Sequence, residues 1–118
     1  MNINVKGTAL DLTPSIKEYI ETRLQPLGRF IKRYEVKGEI HLFVEIARTT
    51  KHHHKGDVFY AEVTVELPKT VLRAESTNPD IREAIDQVKD ILKRKMEQYK
   101  EKHAIKKRGA EKFSKEIT

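Results

Sequence analysis

Residues 40–46, Ile-His-Leu-Phe-Val-Glu-Ile, and 59–67, Phe-Tyr-Ala-Glu-Val-Thr-Val-Glu-Leu, decide the fold. Both runs alternate apolar and polar side chains with a period of two, the pattern of a strand buried on one face and wet on the other. Ile40, Leu42, Val44 and Ile46 face one way, and Glu39, His41, Phe43 and Glu45 the other. In the second run Phe59, Ala61, Val63, Val65 and Leu67 are set against Tyr60, Glu62, Thr64 and Glu66. The polar stretch between them, Arg48 to Asp57, reads as a long hairpin loop, and Pro68-Lys69 turns the chain into a short strand from Val71 to Glu75.

Upstream of this hairpin, Ile3 and Val5 alternate with Asn2, Asn4 and Lys6, which predicts a first short strand. Thr13-Pro14 then opens a helix, Thr13 as cap and Pro14 at the first helical position, where a missing N–H costs nothing. Ile16, Ile20, Leu24 and Leu27 repeat at helical spacing with Tyr19 beside them. Pro26 and Gly28 are expected to end or kink this helix, with Arg29-Phe30-Ile31 adding a last turn or a short second piece.

Downstream, Asn78-Pro79 is read as a second Thr13-Pro14-like start. The long helix that follows carries the stripe Ile81, Ile85, Val88, Leu92, Met96 and Tyr99. Residues 103–118 lose that period and are expected to form a flexible basic tail. The order is thus β-α-β-β-β-α, an α+β domain over residues 1–102 in which two helices cover one face of a four-stranded sheet.

At 118 residues the chain forms one domain with a modest core. Without cysteine it has no disulfides, no Cys-ligated zinc and no thiol catalysis. Its apolar runs are too short to span a membrane, and its start has no signal-peptide pattern, so a cytoplasmic protein is expected.

The net charge of +6 comes from residues 91–118, which carry ten Lys and Arg against four acids, while the rest of the chain balances. Concentrated positive charge on a neutral domain is an electrostatic footprint for a polyanion, most often nucleic acid. On the long helix, at about 100° per residue, Arg82, Lys89, Lys93 and Lys100 form a narrow stripe beside the apolar face. Glu83, Asp90, Glu97 and Glu101 line the back, Arg94 lies beyond them, and Lys102 sits near the other edge of the apolar stripe. Asp86 touches the basic stripe and is placed to pair with Lys89 or Lys93. A second basic group, Arg23, Arg29, Lys32, Arg33 and Lys37, surrounds the end of the first helix. Arg23 lies at the margin of the apolar stripe, where it either packs its stem and snorkels to water or aims at phosphate between the helices.

His52-His53-His54 raises metal binding or acid–base catalysis. Adjacent loop histidines rarely converge on one ion, and no spacing supplies a rigid third ligand or a carboxylate partner. A solvated or RNA-touching loop is expected instead, with no catalytic residue, metal, cofactor or small-molecule substrate.

Several strings, in order and at fixed spacing, carry a resemblance: Ile3-Asn4-Val5-Lys6-Gly7; Leu12-Thr13-Pro14-Ser15-Ile16 with Arg23-Leu24 and Leu27; Ala61 to Val65 with Pro68; Val71-Leu72-Arg73-Ala74-Glu75; and Ala84-Ile85-Asp86 leading to Leu92, Arg94 and Lys100-Glu101-Lys102. Over residues 1–102 the chain resembles the short ribosome hibernation-promoting factors, also called protein Y or ribosome-associated inhibitor. The resemblance implies a domain that binds the small ribosomal subunit, occupies the messenger-RNA and tRNA sites, and silences idle ribosomes by competition rather than chemistry. It implies rRNA-phosphate contacts at Arg23, Arg29, Arg94 and Lys102, while Lys32, Arg33, Lys89, Lys93 and Lys100 come mainly from the charge pattern. Ile91 and a site near Gln98 stand where the family often has a basic residue, so the Arg94 side is less cationic than expected. Long members add a C-terminal dimerisation domain that sixteen tail residues cannot supply, so single ribosomes are the expected target.

Three other readings stand beside this one. The two-helices-on-a-sheet layout also resembles a double-stranded-RNA-binding fold, although those modules lack a strand before the first helix. A ribonuclease would depend on His52, His53 and His54. A protein-interaction module would dock an acidic partner through the basic tail.

Overall fold

The computed structural model describes residues 2–32, 40–49, 58–67 and 70–117, with the side chains of 31, 32 and 102–117 left aside. Its elements follow the expected order: β1 (Asn2–Thr8), α1 (Pro14–Lys32), β2 (His41–Thr49), β3 (Val58–Leu67), β4 (Thr70–Asn78) and α2 (Ile81–Ile117). The sheet order is β1-β2-β3-β4. β1 runs parallel to β2, which requires the α1 crossover between them, and the other two pairings are antiparallel.

Register explains the two faces. Val5, Val44, Val63 and Ala74 form one row across the sheet, and Ile3, Leu42, Val65 and Leu72 another. Against these rows pack Ile16, Ile20, Leu24 and Leu27 of α1 and Ala84, Ile85, Val88, Leu92 and Met96 of α2. The next row, Lys6, Glu45, Glu62 and Glu75, points to water on the opposite face. Both helices therefore share one face of the sheet, as the alternation required. At the end of β1 the chain folds back so closely that a Cβ on Gly7 would sit 3.0 Å from the Leu10 carbonyl oxygen and 3.0 Å from Leu12 Cγ.

Thr13 caps α1 as expected: its Oγ1 accepts from the Ile16 N–H at 3.3 Å, and its carbonyl accepts from the Lys17 N–H at 3.1 Å. The start of α2 differs by two residues. Asp80, not Asn78, is the cap, its Oδ1 accepting from the N–H of Arg82 at 2.9 Å and of Glu83 at 3.4 Å. Asn78 instead closes a turn, accepting from the Asp80 N–H at 2.8 Å.

Other boundaries also differ from the sequence reading, and β2 runs on through Arg48, where the loop was expected to begin, to Thr49, because both residues pair with β3. α1 continues through Pro26 to Lys32. The proline is on the exposed side, where the hydrogen bond it forfeits costs least, while buried Leu27 and half-buried Phe30 hold the last turns in place. β4 runs on to Asn78 because Ser76, Thr77 and Asn78 still find partners in Ala61, Tyr60 and Phe59 of the longer β3. α2 is helical to Ile117, well past the end of its apolar stripe. Residues 103–117 are rich in Ala, Lys, Glu and Arg and lack proline, so intrinsic propensity favours helix where the loss of apolar period suggested a tail.

Candidate nucleic-acid interface

The seam between α1 and α2 opens into a groove of about 620 Å³ on the helical face. From α1 come Ser15, Tyr19, Thr22, Arg23, Pro26 and Phe30, with buried Leu27 as floor; Lys89 and Lys93 form the α2 rim. The groove exists because both helices turn their apolar stripes down onto the sheet, leaving the stripe margins to meet above the core.

Asp86 joins the two helices across this seam. The Tyr19 hydroxyl donates to Asp86 Oδ2 at 2.8 Å, and Arg23 Nε lies 3.4 Å from Oδ1. Burial, reinforced by the hydrogen bond to Asp86, raises the Tyr19 phenol above its ordinary pKa. The guanidinium carbons of Arg23 and Arg82 stand 5.0 Å and 5.5 Å from the Tyr19 ring centroid, both within cation–π range. The Arg23 and Asp86 side chains remain 45% and 37% exposed, so water screens their pairing and it contributes little net stability. Asp86 Oδ1 itself accepts no hydrogen bond among the described residues, so Arg23 holds it only as an ion pair.

The structure brings together part of the expected basic set. Arg23, Lys89 and Lys93 line the groove, and Lys100 Nζ lies 4.6 Å from the ring centroid of Phe30, a groove residue. Arg82 joins them through Tyr19. Asp86 reaches to α1 rather than to Lys89 or Lys93, and Lys89 Nζ instead lies 3.5 Å from Asp90 Oδ1. Arg29 is exposed on α1 but does not line the groove. Arg94 is exposed one helical step of about 100° beyond Lys93, turned away from the seam. Ile91 packs against the core, which accounts for an apolar residue there. Arg33 and the three loop histidines lie outside the described residues, as do the side chains of Lys32 and Lys102.

In the sequence Tyr19 stands only alongside the first apolar stripe, and the spacing sets Asp86 beside Lys89 or Lys93 rather than its actual partners Tyr19 and Arg23. Phe30 reads in the sequence only as part of a last turn, whereas it lines the groove. The signal was the position of Tyr19 and Asp86 at the margins of two apolar stripes, where a polar tip over an apolar body suits a helix–helix seam. Nothing in one helix alone says which residue of the other it will meet.

The opposite, open face of the sheet carries a closed charge cluster. Arg73 Nη2 lies 3.0 Å from Glu62 Oε2 and 3.2 Å from Glu75 Oε2, and the Tyr60 hydroxyl sits between the two carboxylates. Burial and the two carboxylates push the Tyr60 phenol up to about 12. The hydrogen bond from Tyr60, helped by Arg73, holds the Glu62 carboxyl below its ordinary value against the opposing effect of burial. Hydrogen bonds with Tyr60 and Glu62 raise the Arg73 guanidinium further above its already high value. At the far edge of α2, Lys95 donates to the Arg73 carbonyl, pinning that side of the helix to β4. Among the described residues no cluster of His, Asp and Glu could hold a metal ion, and no helix is long and apolar enough to cross a membrane. A cationic rim over a groove with apolar and aromatic walls is chemically suited to an anion.

Comparison with known proteins gives a consistent result. Over 118 residues the chain is 31% identical to the ribosome hibernation promotion factor of Picosynechococcus sp., covering 99% of this chain and 58% of that protein. It is 26% identical to the factor of the same name from Bacillus subtilis, over 86% of this chain and 50% of the relative. The chain thus spans between half and three-fifths of the length of these relatives. The crystal structure of the Thermus thermophilus Protein Y N-terminal domain superposes with a TM-score of 0.68 at 29% identity, covering 84% of this chain and 99% of that one. A ribosomal subunit interface protein from Coxiella burnetii shares the fold, with a TM-score of 0.66 at 19% identity over 85% of this chain and 98% of the other. The family model for sigma 54 modulation protein / S30EA ribosomal protein matches residues 3–104, from β1 into α2 past the groove, and the chain belongs to that family.

Proposed function

We propose that this chain is a ribosome hibernation factor. It binds the small ribosomal subunit through rRNA phosphates, occupies the messenger-RNA and tRNA sites, and so inhibits translation by idle ribosomes without catalysing a reaction. The observation that carries this reading is the basic rim of the α1–α2 groove. Lys93 is exposed there and meets no acid among the described residues, and Arg23, Arg82 and Lys89 crowd the same seam. Two relatives bearing the name ribosome hibernation promotion factor support it.

Arg23, Lys89, Lys93 and Lys100 form the main phosphate-binding surface in this account, with Arg29 and Arg94 at its periphery; Lys32, Arg33 and Lys102 join the proposed contacts on their charge and place in the sequence alone. Residues 1–102 act as the binding domain. The stretch from 103 adds Lys106, Lys107, Arg108, Lys112 and Lys115 as a separate basic segment. Each neutralised phosphate releases counterions, so affinity should fall with salt by a log–log slope of about 0.7 to 0.9 per contact.

The test is co-sedimentation with purified small subunits at low and moderate salt, with tRNA and messenger RNA as competitors. Near-stoichiometric pelleting that either competitor blocks is the expected result. No pelleting at low salt, or preference for free duplex RNA, overturns the proposal.

A further inference from the structure

A surface that only neutralises phosphates has no need of an apolar groove between its cations, and leaving one open to water is unfavourable. Yet the α1–α2 seam is lined by Tyr19, Pro26, Leu27 and Phe30, directly beside Arg23, Lys89 and Lys93. Its volume of about 620 Å³ falls in the range of small-ligand sites and is ample for one nucleobase and its ribose. Hydroxyls at Ser15 and Thr22 and the Glu18 carboxylate sit on the α1 wall, where they can meet the hydrogen-bonding edge of a base.

From this juxtaposition of an apolar floor at Leu27 and Pro26, aromatic margins at Tyr19 and Phe30, and a cationic rim we infer that the groove takes one unstacked nucleotide of the bound RNA. The base enters between the helices, and its flanking phosphates lie on Arg23, Lys89 and Lys93. The occupant follows from complementarity of charge and chemistry together. An acidic peptide would satisfy the lysines but leave the apolar floor of the groove uncovered, and an apolar helix would bury the lysines without partners. A splayed-out nucleotide has both a flat apolar ring and adjoining anions, the combination by which single-stranded RNA is held on aromatic side chains. The inference rests on the rRNA-binding reading and adds to it a base contact that phosphate neutralisation alone does not require.

Two oligomers of equal charge separate the two claims: a single-stranded RNA hexamer and its abasic ribose-phosphate counterpart, each titrated by fluorescence anisotropy. The expected result is tighter binding of the base-bearing strand by roughly fivefold to a hundredfold, with the same salt slope for both. Thr22→Met, which narrows the groove from the exposed side of α1 with an aliphatic chain and leaves every cation in place, should shrink that difference. In the wild-type protein, the Leu27 methyl resonances should shift with the base-bearing strand and stay put with the abasic one. This readout holds even if Thr22→Met fails to fold. Equal affinities and unmoved Leu27 methyls overturn the inference while leaving phosphate binding intact. Failure of small subunits to pellet the protein overturns both.

Discussion

On the open face of the sheet, Arg73 is held by two carboxylates and a tyrosine that lie within 3.4 Å of its Nη2. On the helical face, Arg23, Arg82, Lys89 and Lys93 share one seam where, among the described residues, Arg23 pairs with Asp86 and Lys89 with Asp90 while Lys93 makes no ion pair. Both faces are rich in charge, but the first closes its charges on one another and the second directs a surplus outward. The number of charged residues therefore does not distinguish the two faces; the fraction left unpaired does. A closed cluster stiffens a sheet surface. A surplus over an apolar groove leaves cations that are available to an anion.

The largest effect should come from the core that serves both faces. Leu92 is fully buried among sheet and helix side chains, so Leu92→Ala should cost about 2–5 kcal/mol in urea unfolding. The protein that remains folded should bind small subunits with unchanged affinity, because no charge on either face has moved.

Next comes the comparison itself. Lys89→Glu with Lys93→Glu should weaken small-subunit binding by on the order of 100-fold and flatten its salt dependence by about two contacts. Lys6→Glu on the open face should change affinity little. Arg94→Glu should cost measurably less than Lys93→Glu in the same binding assay, since Arg94 is turned away from the groove.

A smaller effect is expected at Asp86. Asp86→Asn removes the Arg23 ion pair while keeping an acceptor for Tyr19, so stability should fall by about 1 kcal/mol or less. Affinity for small subunits should rise, because one acid leaves the seam and Arg23 is released. A fall in affinity would mean that Asp86 positions Arg23 rather than competing for it.

The open-face cluster should show itself mainly as pH dependence. The folded state favours the Glu62 carboxylate, so that stabilisation is present above the ordinary value of 4.5 and is lost as the pH drops through the lower folded pKa. Tyr60 has the opposite sign. Its contribution is present below the ordinary 10.0 and disappears as the pH rises toward the folded value of about 12. Urea midpoints across the pH range should weaken at both ends, and Tyr60→Phe should flatten both limbs without affecting ribosome binding.

Period-two alternation in β2 and β3 and the Thr13-Pro14 start of α1 made the sheet, its buried face and the helix order readable from sequence, because each depends on local spacing. The end of α1 was not readable: Pro26 stops a helix in isolation, and only the burial of Leu27 and Phe30 carries it onward. The α2 cap shifted to Asp80 because two asparagine- and aspartate-type residues flank one proline, and only the backbone path distinguishes a cap from a turn. At the candidate site, the stripe Arg82-Lys89-Lys93-Lys100 followed from helical geometry alone. The groove did not, since it is formed by the meeting of two stripe margins, and the partnership of Tyr19 with Asp86 spans 67 residues of sequence.

The most direct measurement is small-subunit affinity, at several salt concentrations, of the wild-type protein, the Lys89→Glu/Lys93→Glu variant and the Lys6→Glu variant. The account predicts steep salt dependence for the wild type, a large loss with a shallower slope for the groove variant, and near-wild-type behaviour for the sheet variant. Equal losses from both variants, or none from the groove variant, would contradict it.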